Sequence, residues 1–250
     1  MKLSVLIIAH NEAHNIEDAL ASVDFADESI VVDNCSDDNT DEFARKAGAK
    51  VISTSKNIGY SDAKRLGLKN CSGDWVLWLD ADERISKELA REIQDAIAAP
   101  GKLAAYEIPR KSLFIRRWMH HCGWYPDYIV RLFRRESVTF SDDLVHEKAI
   151  IEGKKGRMKF PIMHYSYPSL EEYFRKLNRY TTLAANQMIR DGKHGKFLDI
   201  LMRPPATFIK MYLIKLGFLD GLEGFILSCL SSMYVLVKYA KAYYIMQEDA

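Results

Sequence analysis

The sequence predicts an α/β protein: a doubly wound, mostly parallel sheet followed by a C-terminal helical, membrane-associating appendage. Three observations carry that prediction. Apolar runs rich in β-branched residues alternate with stretches of helical spacing through about the first eighty residues, the signature of a parallel sheet crossed by helices. Each of these runs ends in polar residues. Beyond Phe197 the chain turns apolar with scattered Lys and Arg.

The first strand is Leu3–Ala9, with a polar run directly after it. It is too short for a secretory signal and lacks a small-residue cleavage site, so it reads as a buried strand and the catalytic part as cytoplasmic. In Asn15–Val23, Ile16, Leu20 and Val23 repeat at i, i+4 and i+7, the apolar stripe of a helix. Ser29–Val32 is the second strand, Thr40–Ala47 a helix stopped by Gly48, and Lys50–Ser53 the third strand. Ser61–Lys69 is a further helix, and Trp75–Leu79 a fourth strand, apolar throughout and therefore central. After Pro100 the alternation weakens. Tyr106–Pro109, Ile129–Phe133 and Met158–His164 read as strands, the first two separated by a loop dense in Trp, His and Arg. Glu171–Ile189 is an amphipathic helix with Tyr173, Leu177, Tyr180, Ala184 and Met188 on one face.

A formal net charge of +1 conceals an asymmetry. Residues 1–100 hold 11 Lys and Arg against 19 Asp and Glu, whereas residues 101–215 hold 22 against 11. An acidic module carrying chemistry and a basic one facing something anionic fit this split. The basic residues are interleaved with long apolar runs, which suits lipid rather than nucleic acid. Cys35, Cys71, Cys122 and Cys229 show no CxxC spacing, so zinc-ribbon and redox readings lack support and free thiols are expected.

In a doubly wound sheet, ligands bind beyond the carboxyl ends of the strands, so the polar residues there are the candidates. Leu79-Asp80-Ala81-Asp82-Glu83 ends the central strand. Strand alternation puts Asp80 and Asp82 on one side, and two close carboxylates repel unless a divalent cation neutralises them. Standing alone, such a pair would be a solvated turn capping the next helix. Here it follows a buried strand, and two other strand ends agree with it. Val31–Thr40 runs from a strand into a polar loop, with Asp33 placed to accept hydrogen bonds from a base or ribose. Ala9-His10-Asn11-Glu12 ends the first strand. Three polar strand ends feeding one crevice make a nucleotide site. No Walker loop or GxGxxG is present, against kinases and dehydrogenases.

Ser4–Glu12, Val31–Thr40, Asn57-Ile58-Gly59-Tyr60 with Ala63-Lys64, and Gly73-Asp74-Trp75 through Asp82-Glu83 resemble, in order, the inverting family-two glycosyltransferases of GT-A fold. That resemblance implies roles. His10, Asn11 and Glu12 would line the nucleoside pocket, and Asp33 would bind the base, with Asp38 and Ala81 in the same nucleotide-sugar site. Lys64 would contact the diphosphate or sugar. Asp80 would touch the ribose or the metal, and Asp82 would hold Mn²⁺ or Mg²⁺ on the diphosphate. The expected division is a catalytic domain over 1–168, with the nucleotide sugar on 1–100 and the acceptor on 101–168, and a helical region over 169–250.

An inverting transfer needs a general base to take the proton of the acceptor hydroxyl. Asp142, Asp143 and Glu147 are the candidates, Glu147 first and Asp143 second. The family usually has Glu-Asp where this chain has His146-Glu147, which leaves the assignment open. Trp124, Tyr125, Arg131, Arg134 and His146 are the acceptor-side candidates, the two arginines either binding phosphate or covering surface. His164 either completes the metal sphere, as a late-strand histidine does in some relatives, or is structural. Trp124–Asp127, Arg131–Arg135, Val145-His146-Glu147, His164–Tyr167 and Lys176–Tyr180 are similar to lipopolysaccharide inner-core glucosyltransferases, which transfer β-glucose to a core heptose. The resemblance implies a UDP-glucose donor. Another lipid-linked or surface glycan as acceptor, or a non-catalytic nucleotide-sugar or carbohydrate-binding module, are the alternatives.

Gly224–Val237 is about 14 residues of apolar sequence, and a spanning helix needs roughly 20. The expectation is a membrane-lying or partly inserted helical element, broken at Pro204-Pro205, which holds the protein peripherally on the inner face of the cytoplasmic membrane. Arg190, Lys193, Lys196, Arg203, Lys210 and Lys215 would face anionic headgroups. Packing on the catalytic domain or a dimer interface is the competing reading.

Overall fold

A computed structural model describes residues 1–140, 149–193 and 195–248. The chain divides into two compact units, Met1–Arg110 with Asp127–His164, and Lys111–Pro126 with Tyr165–Ala250.

The first unit is built on β1 (Leu3–Ala9), β2 (Glu28–Asp33), β3 (Lys50–Ser53) and β4 (Trp75–Asp80). These pair in parallel in the order β3-β2-β1-β4, as the alternation predicts. Every residue of β1 is buried, because helices cover both faces of the sheet. Its period of two sends Leu3, Val5 and Ile7 into one core and Leu6 and Ile8 into the other. The first core is closed by Ile16 and Leu20 of α1 (Ile16–Ala21) and by Leu89, Ile93 and Ile97 of α4 (Lys87–Ala98). Ser86 caps α4 by accepting from the Leu89 N–H at 3.2 Å. Between these lie α2 (Thr40–Lys46) and α3 (Tyr60–Asn70). α3 covers the second core closely: a Cβ on Gly67 would sit 2.2 Å from Leu6 Cδ1.

Past β4 the sheet changes character. β5 (Glu83–Ile85), β6 (Leu103–Phe114), β8 (Asp127–Arg134) and β12 (Ile162–Tyr167) continue it in the order β4-β8-β6-β12-β5. The pairings β4–β8, β6–β8 and β12–β5 are antiparallel. Two short strands, β7 (Arg117–Trp118) and β11 (Lys154–Arg157), also pair with β6, while β9 (Val138–Phe140) and β10 (Ala149–Ile151) form a separate hairpin. β6 is longer than its sequence shows: Pro109 does not end it, and takes Tyr128 as its partner in the ladder with β8.

The second unit contains α5 (Leu170–Arg190), α6 (Phe197–Ile209) and α7 (Gly221–Glu248), with a π-helical turn at Lys210–Ile214 and a 3₁₀ turn at Gly217–Asp220. Phe114, Met119, Cys122, Tyr173, Leu177, Leu227 and Leu230 form its core. The unit takes in 111–126 as well as the helices, and Asp220 joins the two. That buried carboxylate accepts from the backbone N–H groups of His120 (3.1 Å) and His121 (2.7 Å) and lies 3.6 Å from Arg117 Nε. Burial pushes its pKa up, but hydrogen bonds from the His121 side chain and from the His121 and His120 backbone outweigh this and hold the carboxyl below the usual range.

Two expectations about the tail are corrected. Pro204-Pro205 does not break the chain: α6 runs through it, packed along α7 with Ser232 Oγ donating to the Pro204 carbonyl at 2.8 Å. The count of 14 apolar residues stopped at Lys238, yet α7 continues through that lysine to a length of 28 residues. Gly217–Ile245 is long and apolar enough to cross a membrane by length and composition.

Candidate active site

The parallel register sets the site. Ala9 of β1 lies beside Asp33 of β2, and Ile8 beside Asp80 of β4. Neighbouring strands are about 4.8 Å apart, so Asp33, His10 and Asp80 line one sheet edge over about 10 Å. Asp33 is almost fully buried and accepts from the Ser36 hydroxyl. His10 presents a buried Nδ1 that has no hydrogen-bond partner among the described residues.

The loops after β1 and β2 are tied together. Ser36 Oγ accepts from the Asn11 N–H at 2.9 Å, and Asn11 Oδ1 from the Asp37 N–H at 2.9 Å. Thr40 Oγ1 accepts from the Glu12 N–H at 2.8 Å. Asn11 itself takes a left-handed backbone, φ 59°, which asparagine tolerates better than most residues. Asp38, expected in the nucleotide-sugar site, braces these loops, taking the Ala13 N–H on one oxygen and the Thr40 N–H and hydroxyl on the other. Burial raises its pKa, but those hydrogen bonds overcome it and hold the carboxyl below the ordinary range. Glu12 accepts from Asn15 Nδ2 at 2.8 Å at the start of α1.

At the end of β4 the two aspartates take different partners. Asp80 pairs with Arg131 of β8. Asp82 lies 3.2 Å, Oδ2 to Nε2, from His164 of β12. The cause is the sharp turn at Ala81-Asp82: β5 begins at Glu83 and pairs antiparallel with β12, setting Glu83 opposite His164. The structure therefore joins Asp82 to His164 and turns Asp80 towards Arg131. Among the described residues, no three His, Cys, Asp or Glu side chains converge on one point.

Beneath Asp80 sits a cation–aromatic stack that the sequence reading did not assign. Trp78 is two residues before Asp80 on the same face of β4. Lys64 Nζ of α3 lies 4.0 Å from the Trp78 ring centroid and Arg131 Cζ 4.2 Å. Both cations are nearly inaccessible to solvent. Each gains from the indole π-face, an attraction that strengthens when water is excluded.

Glu83 has no exposed surface. Its carboxylate accepts from Arg131 Nη2 at 2.9 Å and from the Asp80 N–H at 3.0 Å, and Arg110 Nη1 is 3.7 Å away. Burial pushes its pKa up, and Arg131 opposes this. Arg131 is buried too, but Asp80 and Glu83 more than offset that burial and keep the guanidinium charged. Glu83 thus fixes the backbone of the Asp80–Asp82 turn. Arg84 locks the same turn to the β1 loop, donating to the carbonyls of Ala81 (2.8 Å) and Asn15 (2.9 Å).

Several acceptor-side expectations change. Arg131 is an internal ion-pair partner of Asp80 and Glu83 rather than a surface group. Arg134 lies opposite Trp75, at the far end of β4 from Asp80, because β8 runs antiparallel to β4. Five residues of strand put it roughly 17 Å from the carboxyl edge. It stacks 5.1 Å from the Trp75 ring and donates to the Leu103 carbonyl at 3.1 Å. In the second unit, Trp124 packs against Phe114 and Tyr167, while Tyr125 meets His120 at 6.1 Å and Lys111 at 5.8 Å. Asp142, Asp143, His146 and Glu147 lie outside the described residues.

Glu83, Trp78 and Arg84 are the contributors that sequence reasoning missed. A period of two from Asp80 points to Trp78. Glu83-Arg84-Ile85, two charged residues and one apolar, shows no period that would mark β5.

The chain is similar to known proteins in sequence and in fold. The family described as glycosyl transferase family 2 matches residues 4–156, more than half of the chain. The lipopolysaccharide core biosynthesis glycosyltransferase LpsC of Rhizobium meliloti (strain 1021) is 28% identical over 254 aligned residues, covering 97% of this chain and 92% of its own. An uncharacterized glycosyltransferase of Rickettsia bellii (strain RML369-C) is 32% identical, covering 96% and 85%. The crystal structure of S. aureus TarS 1–349 in complex with UDP shares the fold at a TM-score of 0.51 and 17% identity, over 100% of this chain and 92% of that one. The fold is GT-A-like, and the chain belongs to glycosyl transferase family 2.

Proposed function

We propose that this glycosyltransferase moves glucose from UDP-glucose onto a heptose of the lipopolysaccharide inner core, with inversion, as a peripheral protein on the inner face of the cytoplasmic membrane. The observation that carries the donor half is the sheet edge itself: buried Asp33 and half-buried His10 and Asp80 in a row, ending beside the Asp82–His164 pair. Similarity to a lipopolysaccharide core glycosyltransferase over nearly the whole chain supports the acceptor half.

In this reading Asp33, with one oxygen fixed by Ser36, accepts from the uracil. His10 offers Nδ1 to the nucleoside. Asp80, aimed by Arg131 and Glu83, accepts from the ribose. Lys64, held over Trp78, places an ammonium beside the diphosphate. A carboxylate oxygen and an imidazole nitrogen 3.2 Å apart are donors that suit a divalent cation, so Asp82 and His164 would hold Mn²⁺ or Mg²⁺. When bound, such an ion neutralises charge on the departing UDP. The acceptor proton is assigned first to Glu147, then to Asp143 or Asp142. Trp124, Tyr125 and His146 remain assigned to the acceptor.

The test is transfer from UDP-glucose to heptose-containing and heptose-free core acceptors, with the linkage read by NMR. A β-glucoside formed only on the heptose-containing acceptor supports the proposal. An α-linkage, or transfer indifferent to heptose, contradicts it.

A further inference from the structure

We propose that α6 and the turn joining it to α7 form an in-plane insertion face for an anionic phospholipid bilayer, with α7 as the strut behind it and not a membrane span. This rests on the reading that the protein works at a membrane, and is independent of its donor chemistry.

The first observation is where the exposed apolar surface lies. Among the described residues, 12 of 23 exposed large hydrophobic side chains fall within 197–225. A segment of 29 residues thus carries half of them. Phe197 (71% exposed), Leu198 and Leu201 lead on α6, and Ile214 (69%) and Leu219 on the turn, with Leu222 (68%) in the first turn of α7. Soluble surfaces rarely leave so much contiguous apolar area uncovered.

The second is charge. Lys193, Lys196, Arg203, Lys210 and Lys215 are exposed along the same stretch. The acidic residues from 190 to 225 are Asp191, Asp199, Asp220 and Glu223; Asp220 is buried and Asp199 is paired to Arg203 at 2.6 Å. An apolar face rimmed with lysine is complementary to anionic headgroups over hydrocarbon. A second copy of the chain would bring a second basic rim against the first.

The third concerns geometry. α6 has 13 residues, about 20 Å of helix against a hydrocarbon core of about 30 Å, so it lies in the plane. α7 has the length to cross, but one side of it is already packed. Leu227, Ser228, Leu230 and Ala242 are buried. Lys241 Nζ donates to oxygens of Asn178, Thr181 and Thr182 on α5, within 2.9 Å in each case. A crossing α7 would drag α5 into hydrocarbon with its exposed Arg175 and Arg179, at a cost the Lys241 contacts cannot offset.

The test uses the purified full chain and vesicles of phosphatidylcholine with or without phosphatidylglycerol. Leu201→Trp replaces one exposed apolar side chain by another and reports insertion. Leu201→Glu/Ile214→Glu removes the face. UDP titration is run alongside on each variant. Flotation is expected only with phosphatidylglycerol, and the tryptophan emission of the Leu201→Trp protein should shift to the blue on binding by more than that of the wild type. The double variant should lose flotation with UDP affinity unchanged, and alkaline carbonate should release the bound protein fully. Four results overturn the proposal: no flotation of the wild type, flotation surviving in the double variant, retention after carbonate (a span), or a dimer dissolved by the double variant. If vesicle binding fails while UDP binding and transfer to a soluble heptoside persist, the insertion face is wrong and the transferase reading stands.

Discussion

Replacing Arg131 by methionine tests the buried ion-pair cluster most severely. Arg131 and Glu83 are 3% and 0% exposed and 2.9 Å apart. Removing one member of such a pair strands the other charge away from water, at about 3–5 kcal/mol. The cost is a large share of a total stability of about 5–15 kcal/mol. The Asp80 pairing adds little, because that carboxylate is 38% exposed and screened. Urea unfolding followed by tryptophan fluorescence measures the deficit. Its pH dependence follows from Glu83, whose pKa burial already raises and Arg131 holds down. Without Arg131 the folded carboxyl keeps a proton that the unfolded chain has lost, so stability falls as pH rises through that window. The deficit should accordingly be larger at pH 8 than at pH 5. Adding Glu83→Gln should recover part of it, since a matched neutral pair strands no charge. A deficit below about 1 kcal/mol, or one that Glu83→Gln deepens, would refute the cluster's role.

Lys64→Met should weaken UDP-glucose binding about 10- to 100-fold in calorimetry, the worth of one charge-assisted contact. Glu147→Gln should lower kcat by roughly 10²–10⁴ with the UDP affinity unchanged, as loss of a general base does; unaltered turnover would move the role to Asp143 or Asp142. Glu28 links Ser4 of β1 to Ser72 beside β4; burial raises its pKa, but hydrogen bonds from Ser4 and Ser72 and the charge of Lys2 outweigh this and hold it at about 2. The stability it supplies is complete above the ordinary glutamate range and is lost as pH falls towards 2, so Glu28→Gln should flatten the acid limb of a stability–pH curve.

The first eighty residues or so were legible because their signals are local. A buried parallel strand must be continuously apolar, and its polar end must face the ligand edge, so Leu3–Ala9, Trp75–Leu79 and their termini locate the sheet and the candidate site together. Partners of opposite strands were not legible. Nothing in the spacing of Arg131 reveals that antiparallel pairing of β8 with β4 buries it under Asp80, or that the same pairing carries Arg134 to the other end. His164 reaches Asp82 only because three residues, Glu83–Ile85, form a strand too short to show a period. The tail misled for a different reason. Lys238 and Lys241 look like the end of an apolar helix until α5 supplies the oxygens that Lys241 needs, and Pro204-Pro205 reads as a break although α6, packed on α7, continues through it.

The most direct test of the donor site is calorimetric titration of UDP and UDP-glucose, with and without Mn²⁺, on the wild type and on Asp82→Ala. The account expects tight binding only with the metal, and its loss in Asp82→Ala. UDP binding of equal strength to both proteins, unchanged by metal, would contradict it.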